Sequence, residues 1–216
     1  RHGSIPELSA EDAKLIDTLT AQSWGRTRAR TEQKREFKLP RLKALQKMGL
    51  PTDRRIVALP LEYEHAEAFT AFHNRFERNL DLLGHLAERL DDDFVLAVTD
   101  HPLNYKYVDN SKVHEAIAAL AGRAHLVPNP NAYYYPTDLL IKHCDGLIVQ
   151  NTKAIYSGAF FGRPTLRLSN RPTAEWLNVH DELESFKAAV RSGTGGPSRD
   201  ETRRWFGYHL SHEIID

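Results

Sequence analysis

The chain has 216 residues, enough for one sizeable α/β core with an appendage and too few for two full domains of that kind. Lysine plus arginine and aspartate plus glutamate both number 29, and the isoelectric point is about 7.4, so no global field draws the protein to nucleic acid or to an anionic membrane. A single cysteine, Cys144, excludes an intrachain disulfide and a thiolate zinc cluster; it fits a reducing compartment, and the expected location is the cytoplasm.

No apolar run approaches the roughly 18 residues that span a bilayer, and the N-terminus lacks the basic start and apolar stretch of a signal peptide. The chain opens on Arg1 rather than methionine, so the expectation is a processed or truncated product of a longer gene.

In chain order, Leu8 to Trp24 predicts an amphipathic helix: Ser9 can cap it, Asp12 lies three residues on, and Leu15, Ile16, Leu19 and Trp24 recur at helical spacing. The stretch from Gly25 to Pro51 is strongly charged, with Phe37, Leu39, Leu42, Leu45 and Leu50 as its apolar anchors. It reads as a solvated helix leading into a domain; contact with phosphate or a membrane surface is the alternative.

From Arg55 short β-rich runs alternate with helical ones. RIVALPL precedes a helix through His85 to Leu90, DFVLAVT precedes one near Val113 to Leu120, and HLVP precedes a short helix at PTDLLIKHC. The strand GLIVQ is then followed by a helix over Ala154 to Phe161 and by the strand PTLRLS. This alternation, with nearly continuous apolar strands, predicts an α/β fold: a Rossmann-like, doubly wound parallel sheet with N-terminal and C-terminal helices. The expected division is a helical segment and charged linker over 1–50 and a Rossmann-like domain over 51–216. From Asn178 the tail predicts two helices separated by the surface loop RSGTGGPSRDE.

Ligands of such sheets bind outside the carboxyl ends of the strands. There the sequence puts VTDHPLNYKY, with His101, Pro102, Asn104 and Lys106: an imidazole and an ammonium suited to phosphate, or a turn in which the histidine is incidental. Gln150, Asn151, Thr152 and Lys153 open the helix after GLIV, where free amides and the helix dipole form an anion site; Thr152 as a simple N-cap uses the same geometry. The small residues Ala154, Ser157, Gly158 and Ala159 let that helix pack close to the sheet.

Glu62 and Glu64 follow the first strand, at the sheet edge where a catalytic carboxylate could sit, but in the charged stretch EYEHAE they read as the start of a solvated helix. Tyr133, Tyr134 and Tyr135 can stack on a base or sugar or cover a core edge. His209 and His212 read as a surface pair, with no metal expected, and Trp176, Trp205 and Phe206 as helix packing.

The run DLLIKHCDGLIVQNTKAIYSGAFFGRPTLRLS resembles the C-terminal signature of the capsule polysaccharide biosynthesis family, which includes bacterial Kdo transferases of the GT-B architecture. Cys144, Asp145, Gly146, Asn151, Thr152, Gly162, Arg163 and Pro164 fall on its positions, and His101 and Pro102 match the family's histidine-proline pair. The resemblance covers roughly Arg55 to Ser169. Thr99 stands where the family has a lysine, and Ser157 where it has a glutamate.

The resemblance implies the donor-binding half of a GT-B glycosyltransferase of bacterial capsule or surface-polysaccharide synthesis. Its substrate would be a nucleotide sugar, a CMP-sugar such as CMP-Kdo being favoured, with no other cofactor. His101 would be the catalytic group, and the phosphate would lie among His101, Pro102, Lys106 and the turn from Gln150 to Ser157. A glycan or glycolipid acceptor would face a second domain, and the inner membrane or capsule-assembly proteins are the implied peripheral partners. A sugar-nucleotide epimerase or phosphotransferase of related fold, and a non-catalytic capsule-assembly scaffold, stand as alternatives.

Overall fold

A computed structural model describes residues 9–15, 17–19, 21, 35–66, 68, 72–129 and 136–212. Helical residues between 10 and 21 form α1, and Ser9 caps it: its hydroxyl accepts the Asp12 N–H at 3.1 Å and donates to the Asp12 carboxylate at 2.6 Å.

Five parallel strands make the core sheet: β1 (Arg55–Pro60), β2 (Phe94–Thr99), β3 (Ala124–Leu126), β4 (Gly146–Val149) and β5 (Thr165–Arg167). They lie in the order β3-β2-β1-β4-β5. β1 pairs with β2 from Arg55↔Phe94 to Pro60↔Thr99 and with β4 at Val57↔Gly146. The order reverses between β1 and β4, so the loops leaving those two strands part there and open a crevice. The Rossmann-like architecture expected from the alternation is the one found.

Helices on both faces explain the continuous apolar strands. On one face α2 (Arg41–Lys47), α6 (Pro136–His143) and α7 (Ala154–Phe160) share a core with Ile56, Ala58, Val95, Ala97, Leu147 and Val149. On the other, α3 (Asn79–Arg89), α5 (Ser111–Ala119) and α8 (Leu183–Ser192) pack against Val57, Leu59, Leu96, Val98, Ile148 and Leu166. Phe37, Ala44, Leu45, Met48 and Leu50 are buried in the first core, so residues 35–50 are part of the sheet's packing rather than a solvated lead-in.

Helix α3 begins at Asn79, six residues before the expected His85. Its buried stripe of Leu82, Leu83, Leu86 and Ala87 is helical from the first turn, and Arg78 before it is extended. Between β5 and α8 lies a 3-10 turn, Glu175–Leu177, and the tail ends in α9 (Arg199–His212). Trp176 and Trp205 stack at 4.6 Å, and Tyr156 stacks on Trp205 at 5.9 Å, so the aromatics pack helices as expected. Among the described residues no helix is long and apolar enough to cross a membrane.

Candidate functional site

The motifs divide between the two ends of the sheet. Cys144, Asp145 and Gly146 enter β4 at its amino end, and each has an architectural task. The Cys144 thiol is fully buried, and burial pushes its pKa up to about 11, so it is no nucleophile. Asp145 accepts the Ile56 N–H at 2.8 Å and the Arg41 guanidinium at 2.7 Å, tying α2 and β4 to β1. A Cβ on Gly146 would come within 2.6 Å of Val190 Cγ2 and 2.8 Å of Phe186 Cζ, so α8 packs where only glycine fits.

The Gly162-Arg163-Pro164 turn belongs to this end too. Gly162 has φ 63°, the left-handed conformation that ends α7. Arg163 donates through Nε to the Ile141 carbonyl at 3.0 Å and through Nη2 to the Lys142 carbonyl, capping the last turn of α6.

His101–Pro102 and Asn151–Thr152 stand at the carboxyl ends of β2 and β4, the two strands flanking β1. The loop after β1 joins them. It is no solvated helix: Glu62 and Glu64 are half-buried in irregular backbone and hydrogen-bonded. Glu62 Oε1 accepts the Asn151 N–H at 2.9 Å and the Thr152 N–H at 3.0 Å. The anion site before α7 is thus filled by the protein's own carboxylate.

The side chains of that turn are likewise engaged. Asn151 donates to Asn74 Oδ1 at 2.5 Å and accepts from Ser169 Oγ at 2.7 Å. Thr152 Oγ1 accepts the Ala154 N–H at 3.3 Å, a local cap. Gln150 is buried and exchanges hydrogen bonds with the Phe76 backbone at 2.9 and 3.2 Å. Lys153 is exposed, and Ser157 donates to Asp138 of α6 at 2.7 Å. Asn74 bridges antiparallel to Ser169, so the β1–α3 loop crosses above β4 and β5.

At the other motif, Asp100 is the hub. Its buried carboxylate accepts the His101 N–H at 2.8 Å, Asn104 Nδ2 at 2.9 Å and Asn110 Nδ2 at 2.9 Å, and lies 3.0 Å from His114 Nε2. Asn104 carries the network onward: Nδ2 donates to the Glu62 carbonyl at 3.0 Å, and Oδ1 accepts the Glu64 N–H at 3.1 Å. His101 Nδ1 accepts the Leu103 N–H at 3.2 Å, which assigns the ring proton to Nε2. Tyr63 stacks on His101 at 5.4 Å and on His65 at 5.5 Å. Pro102 is exposed on this loop, and Lys106 is exposed on the short helix α4 (Asn104–Tyr107) that follows it.

Burial lowers the pKa of His101 against the opposing pull of Asp100, so the group is a neutral N–H donor rather than a cation. Burial raises the pKa of Glu62, opposed by the backbone N–H groups of Asn151 and Thr152 and by the charge of Arg167. A carboxyl whose proton affinity burial raises, on the loop whose Tyr63 stacks on the His101 ring, is a candidate for acid–base work.

Arg167, at the end of β5, is half-buried, with bonds to Thr173 Oγ1 at 2.5 Å and the Gln150 carbonyl at 3.3 Å. Sequence reasoning passed over Arg167, read Asp100 only as a strand end and favoured a solvated role for Glu62; the position of each at or just beyond a strand's carboxyl end was the available signal. Tyr133, Tyr134 and Tyr135 lie outside the described residues, as do the His209 and His212 side chains. Among the described residues no cluster of three His, Cys, Asp or Glu side chains could hold a metal ion.

No protein-family model matches the chain, and no curated protein matches it. Among solved structures it is similar to the wall teichoic acid polymerase TagF, at 16% identity over 93% of this chain and 43% of that one, with a TM-score of 0.43. It is also similar to Thermosulfurimonas dismutans KpsC, a beta Kdo 2,7 transferase, at 16% identity over 94% of this chain and 70% of that one, with a TM-score of 0.42. The chain thus spans less than half the length of TagF.

Proposed function

We propose that this chain is the nucleotide-sugar-binding part of a glycosyltransferase of surface-polysaccharide synthesis, a CMP-sugar being the favoured donor. The observation that carries the reading is the pairing of His101–Pro102 with Asn151–Thr152 at the carboxyl ends of β2 and β4, on either side of the switch point. The ordered resemblance from Arg55 to Ser169 supplies the reaction class.

Departure of a nucleotide needs its phosphate charge met as the sugar carbon turns positive. His101 Nε2–H and Lys106 are the groups assigned to that task. Asn151 and Thr152 act from behind, by holding Glu62. Glu62, the carboxyl with raised proton affinity, is the candidate base on this chain. The acceptor, a glycan or glycolipid, would complete the site from a second domain, and attachment to the inner membrane or to capsule-assembly proteins belongs to that whole protein.

Calorimetric titration of CMP, UDP and GDP is the test: the expected result is binding that weakens in His101→Ala, with CMP tightest. A folded preparation that binds none of the three sinks the proposal. The occupied amides and the crossing β1–α3 loop favour one second reading, a non-catalytic scaffold for capsule assembly, for which partner binding would survive His101→Ala and Asn151→Ala.

A further inference from the structure

Beside the switch point, between the β1–α3 loop and the start of α3, lies a cleft of about 480 Å³. Ligand pockets commonly enclose about 300–1,000 Å³. Glu62, Glu64, Glu77, Phe72, Asn74 and Asn79 are among its lining residues.

The lining charges decide what the cleft accepts. Three carboxylates face two guanidinium groups, and both guanidinium groups are engaged. Arg78 holds Asp81 through two bonds of 3.0 and 2.9 Å, and Arg75 donates to the Asp181 carbonyl at 3.3 Å. Only Arg78 has its charge met by a carboxylate; Arg75 keeps its charge, and the three carboxylates outnumber it, so a phosphate entering here would meet a net negative lining, which Coulomb repulsion disfavours.

The same groups suit hydroxyls. Glu62 spends Oε1 on its two backbone N–H bonds, and Glu64 spends Oε2 on the Asn79 N–H at 2.9 Å. Those bonds leave the second oxygen of each carboxylate as a strong acceptor. Phe72 is 84% exposed at the cleft wall, a bare aromatic face for the C–H face of a ring. Carboxylate acceptors beside an aromatic platform, in a field that repels anions, match a neutral polyhydroxylated ring.

We propose that this cleft is a carbohydrate subsite that receives the hydroxyls of an uncharged sugar, distinct from the phosphate-binding end at His101 and Lys106. The choice of sugar as ligand rests on the glycosyltransferase reading; the cleft's preference for a neutral ligand does not. The subsite orients the ring through Glu62 and Glu64.

Saturation-transfer NMR with the full chain tests it, using D-glucose, D-galactose and N-acetyl-D-glucosamine as probes and inorganic pyrophosphate as competitor. The expected result is transfer to the ring protons of at least one sugar, reduced several-fold in Phe72→Ala and in Glu64→Gln, unchanged in Leu42→Ala, and unaffected by pyrophosphate. Phe72 is too exposed for its loss to unfold the protein, and glutamine keeps an acceptor for Asn79. No transfer from any of the three sugars, an undiminished signal in Phe72→Ala, or displacement by pyrophosphate overturns the proposal. Sugar transfer without affinity for any nucleotide would sink the donor reading and leave the cleft standing; nucleotide affinity without sugar transfer does the reverse.

Discussion

The two ends of the β-sheet treat some of their charged groups in different ways. At the amino end Arg191 of α8 bonds Asp93 at 2.9 and 3.1 Å and also Asp91, lies 4.9 Å over the Phe94 ring, and shares Asp91 with Lys187. Bonds from Arg191 hold the carboxyls of Asp91 and Asp93 below their usual range, so each charge is favoured.

At the carboxyl end the shifts have the other sign. Glu62 is raised and His101 lowered, both chiefly by burial, so each charged form is disfavoured. Paired charges that want to stay charged fasten an edge; buried groups whose charged forms are disfavoured are candidates to exchange protons. Ion pairing sets the shifts of Asp91 and Asp93, and burial sets those of Glu62 and His101.

The largest effect that would sharpen this contrast is Phe186→Ala at the amino end. The ring is fully buried against Gly146, and its loss should cost about 3–5 kcal/mol by chemical denaturation. Nucleotide affinity of the fraction that remains folded should not change; a fall would break the division of labour between the ends.

Asp100→Ala comes next. It strips the acceptor from the His101 N–H, Asn104 and Asn110 at once, and leaving buried donors unmet should cost about 3 kcal/mol. Unlike Phe186→Ala it should also weaken nucleotide binding, because it frees the His101 loop and the Glu62 loop together.

Glu62→Ala bares the Asn151 and Thr152 amides and should cost about 1–2 kcal/mol, whereas Glu62→Gln keeps an acceptor and should cost less. The sign of the pH effect is set by the raised folded-state pKa. The stability that Glu62 contributes is full below the unfolded-state pKa and is lost as pH rises through the folded-state value. Glu62→Gln should flatten that part of the pH–stability curve; an unchanged curve would show that the carboxylate is not desolvated.

The smallest effect at neutral pH belongs to His143, buried at the amino end with Nε2 unpartnered. Burial, reinforced by Lys142, Arg163 and Arg41, depresses its pKa from 6.5 to about 4. Its contribution is therefore present above 6.5 and lost as pH falls toward 4. His143→Leu should lessen the loss of denaturation midpoint over that interval.

Much of the architecture was legible from pattern. The five strands are apolar because helices cover both faces, and runs such as FVLAVT and GLIV have no other low-energy place in a chain of this length. Asn151 and Thr152 were legible as a helix start because small polar residues after a strand end its ladder and cap the next helix. The start of α3 was missed because Asn79 takes its bonds from Glu62, a partner 17 residues away.

The sequence alone therefore determined the parallel sheet, most of the helices and the edge at which the candidate site lies, since these arise from local periodicity and the geometry of strand-to-helix turns. Tertiary structure decided what those turns hold. A pair of backbone N–H groups at a helix start accepts any anion, and only the folded chain, bringing Glu62 across 89 residues of sequence to Asn151, settled that the anion is its own. Local pattern specifies an unmet donor; the identity of the acceptor depends on contacts that no local pattern encodes.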